Sequence, residues 1–150
     1  MANLDLSQIS VLLVDDEEFM RNLLVRMLYE LPVASVISAV DGSDAEFKLS
    51  LNRPKVDLII CDIVMPNVSG LQFVKSVRDG KTYCDAATPV MLLTGVGRAE
   101  VVLAAAEVGI NGYLKKPVSQ QVLKKRIMAA MTSPIVKVIG DNMPEAEQTL

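Results

Sequence analysis

The chain of 150 residues contains no histidine and no tryptophan, and aromatic residues make up only 4% of it. The missing histidine excludes Ser-His-Asp and Cys-His catalytic sets, imidazole acid–base chemistry and most zinc sites. Carboxylates, lysines, hydroxyls and backbone groups are left for chemistry. With so few aromatics the core must be aliphatic, built from Val, Ile, Leu, Ala and the eight Met. Only two cysteines are present, Cys61 and Cys84. Cys61 closes an apolar run, which reads as a small buried hydrophobe in a reducing compartment rather than half of a disulfide. Positive charge is not in excess: 15 Lys and Arg stand against 18 Asp and Glu, a net charge of −3. No basic face for nucleic acid follows from that balance. No apolar run approaches the roughly 20 residues of a membrane span, and the start of the chain, with Asp5 close to Met1, lacks the basic region of a signal peptide. The expectation is a soluble cytoplasmic protein with no direct nucleic-acid partner and no membrane partner.

What is present is a globular composition, 51% apolar and 22% charged, of a length that suits one domain with a full core. Apolar runs alternate with amphipathic stretches. Ser10–Val14 is a strand candidate ended by Asp15-Asp16, followed by a helix with Phe19, Met20, Leu23, Leu24, Met27 and Leu28 on its apolar face, stopping before Pro32. Ser35–Val40 is the second strand, and a short helix follows with Ser43 as N-cap and Glu46 three residues on. Val56–Cys61 is the third strand, ended by Asp62, with a helix from Ser69 to Arg78. Pro89–Leu93 is the fourth, ended by Thr94-Gly95, with a helix from Arg98 to Val108 that closes at Gly109. Ile110–Leu114 is the fifth, ended by Lys115-Lys116-Pro117, and Ser119–Met131 is the last helix, with Val122, Leu123, Ile127 and Ala130 on one face. Such alternation implies a parallel sheet between two helical layers, joined by right-handed crossovers. Residues 132–150 leave the pattern and read as a tail or linker.

In an open α/β sheet, ligands sit outside the carboxyl ends of the strands. The residues standing there are Asp15, Asp16, Asp62, Thr94 and Lys116. Three carboxylates together repel, and a divalent cation relieves the repulsion. A ligand set of oxygens alone points to Mg²⁺, which keeps positions open for a phosphoryl oxygen. A lysine and a hydroxyl aimed at the same place are further phosphoryl ligands, and a carboxylate can itself be the nucleophile. The inferred chemistry is metal-assisted phosphoryl transfer onto an Asp. Taken singly, Asp16 also reads as a helix cap, Thr94 as a turn residue, and Lys115 and Lys116 as solvated loop charges.

With these residues in hand, residues 7–131 resemble the receiver domain of a two-component response regulator, close in extent to the single-domain chemotaxis type. The motifs are the acidic pair Asp15-Asp16, the run Asp62-Ile63-Val64-Met65-Pro66-Asn67-Val68-Ser69-Gly70, then Thr94-Gly95, Tyr113 and Lys116-Pro117. The resemblance implies a flavodoxin-like, doubly wound, five-stranded parallel sheet of order 2-1-3-4-5. It implies that Asp62 takes a phosphoryl group from a histidine kinase or phosphotransfer protein. Asp15, Asp16 and Asp62 then hold Mg²⁺ with the backbone carbonyl of Val64, Lys116 pairs with a phosphoryl oxygen, and Thr94 moves to the phosphoryl group with Tyr113 turning inward behind it. A cis peptide before Pro117 is implied as well, and a surface around residues 95–125 that switches. Val64 and Val96 are apolar where the family often has polar residues, which points to a long-lived acyl phosphate. The unusually apolar helix 98–108 offers a face for a downstream partner or for self-dimerisation.

Other readings are open. An Asp-nucleophile phosphatase needs a second Asp where Val64 stands. A nucleotide site at Gly95-Val96-Gly97 lacks the third glycine and follows the wrong strand. A degenerate receiver conflicts with the intact five-residue set, and a receiver cut from a longer regulator with an output domain is compatible with the sequence.

Overall fold

A computed structural model describes residues 4–51, 55–63, 69–95 and 99–132, the side chains of 99–102 and 105 excepted. After a single 3-10 turn at Leu6–Gln8, five strands alternate with five helices: β1 Ser10–Val14, α1 Glu18–Glu30, β2 Ser35–Ala39, α2 Gly42–Leu49, β3 Leu58–Asp62, α3 Gly70–Arg78, β4 Val90–Thr94, α4 Ala99–Val108, β5 Gly112–Lys115 and α5 Gln120–Thr132. All pairings are parallel, in the order β2-β1-β3-β4-β5. The expected flavodoxin-like α/β fold is the fold observed.

The three central strands read as unbroken apolar runs because both of their faces are covered. Leu12, Val14, Ile59, Cys61, Val90, Leu92 and Tyr113 face one way, onto Ala45 of α2 and Phe73, Val74 and Val77 of α3. Val11, Leu13, Leu58, Ile60, Met91, Leu93 and Leu114 face the other way, onto Leu24, Met27 and Leu28 of α1 and Leu123, Ile127 and Ala130 of α5. Each such fully buried side chain contributes about 1.5–3 kcal/mol of transfer free energy. Cys61 is buried and Cys84 half-buried, both as free thiols.

Several local expectations are corrected. The N-cap of α2 is Asp41, not Ser43: extended backbone at Asp41 lets its Oδ1 accept the Asp44 N–H at 2.7 Å, so the cap lies two residues earlier. Phe19 is 77% exposed, because the packing of α1 is decided further along, at Leu24, Met27 and Leu28. Val122 is exposed as well. The buried stripe of α5 runs Leu123, Arg126, Ile127 and Ala130, and Val122 lies about 100° around the helix from it. β3 and β5 start two residues later than expected, at Leu58 and Gly112. A capping box stands instead at α3, with Ser69 accepting from the Gln72 N–H and Gln72 accepting from the Ser69 N–H. The Lys116–Pro117 peptide is cis, and so is Leu31–Pro32. The backbone of Val64, the side chain of Val96 and the tail from residue 133 lie outside the described residues.

Candidate functional site

Sheet register builds the site. Val14 pairs with Cys61, so the residues that follow them, Asp15 and Asp62, leave neighbouring strands side by side. Thr94 pairs with Lys115, which sets Lys116 just beyond the end of β4, where its N–H donates to the Thr94 carbonyl at 2.8 Å. The site thus lies at the carboxyl edge, where β1 and β3 part toward opposite helical layers.

One ligand oxygen from each of Asp15, Asp16 and Asp62 falls within 4.8 Å of the others. Asp15 and Asp62 are buried and Asp16 is exposed. The Lys116 ammonium lies 3.1 Å from Asp62 Oδ2 and 3.8 Å from Asp15 Oδ2. Asp15 Oδ1 accepts the Glu17 N–H at 2.9 Å, while Oδ2 is buried with no hydrogen-bond partner. Burial is the main cause that lifts the Asp15 carboxyl to a pKa of about 6, and the charges of Asp62 and Asp16 add to it. Burial alone would lower the Lys116 pKa, but the charge and hydrogen bond of Asp62, with the charges of Asp15 and Glu17, outweigh it and raise the value.

A buried carboxylate oxygen without a donor is costly unless a cation or a proton meets it. Here Oδ2 of Asp15 stands within reach of two further carboxylates, and every donor in the group is a hard oxygen. The residues therefore fit Mg²⁺.

Thr94 is buried, and its hydroxyl donates to the Gly95 carbonyl at 3.2 Å. Tyr113 is 2% exposed, with its ring packed among the core residues of the α2–α3 side, so it already points inward. Lys115 is exposed, and Lys116 alone of the two adjacent lysines reaches the carboxylates. The reading of Asp16 as a helix cap is not realised: the cap position of α1 is Glu17, without a side-chain bond.

Sequence reasoning missed two contributors. The Arg21 guanidinium donates to the Asp15 carbonyl at 2.8 Å, locking the turn that carries the acidic pair. Gly70 packs against the strand end itself: a Cβ there would lie 2.1 Å from the Asp62 carbonyl oxygen and 2.9 Å from Ile63 Cα. Arg21 was visible only as a polar position on α1. Gly70 was visible as part of a motif, but its reason is a close approach of two backbones that no periodicity reveals.

A doubly wound sheet with three carboxylates and a lysine gathered at its switch point defines the receiver class of signalling domain. The chain belongs to that family: the sequence model of the response regulator receiver domain matches residues 11–128. It is 36% identical over 117 residues to a chemotaxis protein CheY homolog of Campylobacter jejuni subsp. jejuni, covering 78% of this chain and 88% of that one. Among solved structures it is similar to the Vibrio cholerae chemotaxis response regulator CheY4, with a TM-score of 0.71 and 32% identity over 82% of this chain and 98% of that one. A response regulator receiver domain protein from Clostridium thermocellum superposes with a TM-score of 0.73 at 25% identity, over 82% of this chain and 94% of that one. This is a signalling family rather than a classical enzyme family. Among the described residues no helix is long and apolar enough to cross a membrane.

Proposed function

We propose that this chain is a phospho-acceptor switch that takes its phosphoryl group on Asp62 from a phosphohistidine of a histidine kinase or phosphotransfer protein. The observation that carries this reading is the Lys116 ammonium 3.1 Å from Asp62 Oδ2, across from the donorless buried oxygen of Asp15. An oxygen of Asp62 attacks phosphorus as the P–N bond of the donor breaks. The imidazole leaves with that electron pair and takes up a proton from water. Lys116 turns from Asp62 toward a phosphoryl oxygen and offsets its charge. Asp15 and Asp16, with Asp62 and the Val64 carbonyl, are the residues to hold Mg²⁺. The ion supplies charge neutralisation for the in-line transfer. The product adds roughly −1.5 to −2 charges and three acceptor oxygens. The Thr94 hydroxyl then gives up the Gly95 carbonyl for a phosphoryl oxygen, with Tyr113 as the packed ring behind it, and the surface of residues 95–125 changes its population of states.

On this reading the chain catalyses only its own phosphorylation and dephosphorylation. Residues 7–131 are the receiver and 132–150 a tail or linker. The free thiols, with Cys61 buried, suit a cytoplasmic site of action. Output passes to a downstream protein or to a second copy through the helix 98–108 surface.

The test is incubation with Mg²⁺ and labelled acetyl phosphate, or a phosphorylated kinase domain, beside Asp62→Asn. Label on the wild type and none on the variant is expected. Equal labelling of both, or none on either, sinks the proposal. A second expectation concerns lifetime. With valine at positions 64 and 96 the attacking water is poorly ordered, so Val64→Asn should shorten the acyl-phosphate lifetime. A variant that loses phosphate no faster than wild type removes that idea.

A further inference from the structure

Far from the acidic pocket, at the opposite edge of the sheet, the last residue of α3 makes an unusual set of bonds. The Arg78 guanidinium donates from Nε to the Gly109 carbonyl at 2.9 Å, from Nη1 to the carbonyls of Ala86 and Thr88 at 2.8 and 2.7 Å, and from Nη2 to Asn111 Oδ1 at 3.2 Å. Asn111 Oδ1 also accepts the Val90 N–H at 3.0 Å, and the Asn111 N–H donates to the Val90 carbonyl at 2.8 Å. Arg78 takes part in none of the ion pairs among the described residues. Its charge is met by three peptide oxygens and the Asn111 side-chain oxygen instead, and burial of the guanidinium lowers its pKa.

These acceptors belong to two separate pieces of chain, the segment before β4 and the α4–β5 connection. Ala86 and Thr88 precede β4, Gly109 follows α4, and Asn111 precedes β5. Gly109 has a positive φ of 118°, so the chain leaves α4 through a turn that glycine favours. A cation just past the last turn of a helix also opposes the negative end of its dipole. Only a planar fork of five donors can reach this many oxygens at once. α4 is thus pinned from outside at its C-terminal end, while its first residue, Ala99, stands four positions after Gly95 in the chain.

We infer that Arg78 is a positioning residue that makes the Gly109–Asn111 end of α4 the fixed pivot of the switch, so that rearrangement of the 95–125 surface swings the N-terminal end of α4 about it. The inference rests on the reading of Asp62 as phospho-acceptor and adds to it where the moving helix is anchored. A pivot differs from a merely structural clamp. Loss of a clamp loosens the fold in every state alike, whereas loss of a pivot changes where the phosphorylation signal travels.

The experiment is amide hydrogen exchange on the full chain, with and without Mg²⁺ and beryllofluoride as the phosphoryl mimic, for wild type, Arg78→Gln, Arg78→Lys and Asn111→Ala. In wild type, adding the mimic should change exchange at least threefold at residues 99–104 and leave residues 109–112 unchanged within error. In Arg78→Gln the mimic-dependent change should spread to residues 109–112, with Arg78→Lys between the two. If Arg78→Gln does not fold, Asn111→Ala, which removes one arm of the fork, should show the same spread to a smaller degree. Labelling of Asp62 by acetyl phosphate should stay within twofold of wild type in each folded variant. Equal changes at both ends of α4 in wild type overturn the inference, and so does a folded variant whose mimic-dependent pattern matches wild type. If Asp62 takes label but the mimic alters no amide of α4, the pivot fails alone. If Asp62 takes no label, the reading beneath it fails too, and the labelling arm tells the two apart.

Discussion

Asp15 is the residue whose environment does most to set the chemistry of the pocket. Its carboxyl binds a proton more tightly in the folded chain, near pH 6, than in an unfolded chain, near about 3.9. The folded state is therefore penalised wherever this group is ionised. The stability it contributes is complete below about pH 4 and is lost as pH rises through 6. Asp15→Asn keeps an acceptor for the Glu17 N–H but carries no charge. In metal-free buffer it should be more stable than wild type at pH 7, by up to about 3 kcal/mol, and lose that advantage near pH 4. Mg²⁺ must displace the same proton, so its affinity for wild type should fall as pH drops below about 6. Thermal melts of both proteins between pH 4 and 7.5, with and without Mg²⁺, check this. An Asp15→Asn variant that melts below wild type at pH 7 without metal contradicts it.

At the scale of elements, the contact between α3 and the end of β3 is tight enough to reverse an ordinary rule. Alanine in place of glycine in a helix normally stabilises by about 1 kcal/mol. At Gly70 the added Cβ meets the Asp62 carbonyl oxygen at 2.1 Å and Ile63 Cα at 2.9 Å, both backbone atoms that cannot turn aside. Overpacking of this kind costs about 1–3 kcal/mol or more. Gly70→Ala should therefore be less stable by at least about 1 kcal/mol in denaturant melts. It should also phosphorylate more slowly, because the residue pushed away carries the carboxylate proposed as the acceptor. A neutral or stabilising effect means the helix start relaxes without disturbing Asp62.

For the whole molecule, the question is which surface carries the signal outward. α4 has Ala106 buried, Leu103 half-buried and Ala104 exposed, so at least one part of its small-residue face is open to a partner. Size-exclusion chromatography with and without Mg²⁺ and beryllofluoride separates the two outputs. A shift to dimer with the mimic supports self-association through helix 98–108, and an unchanged monomer assigns that surface to another protein.

The fold was legible because its cause is periodic. Runs such as Val11–Val14 and Leu58–Cys61 are apolar at every position only if both faces are buried, and that condition leads directly to a parallel sheet with helices on each side. The ends of those runs were legible for the same reason, and they carried Asp15, Asp62, Thr94 and Lys116. Smaller features were not. Phe19 and Val122 matched an apolar stripe and proved exposed, because a stripe one residue wide of the true contact looks the same in sequence.

By itself the amino-acid order determined the alternation of elements, the absence of histidine chemistry and the set of side chains at the strand ends. Those follow from local preference and from which atoms each residue type carries. The tertiary structure decided what is non-local: the Val14–Cys61 and Thr94–Lys115 registers that bring three carboxylates and Lys116 together, the burial that leaves Asp15 Oδ2 without a donor, the approach of Gly70 to Asp62 and the fork of Arg78. Each joins residues far apart in the chain across distances of a few ångströms. No pattern along the chain encodes such distances, because they depend on how separate elements settle against one another.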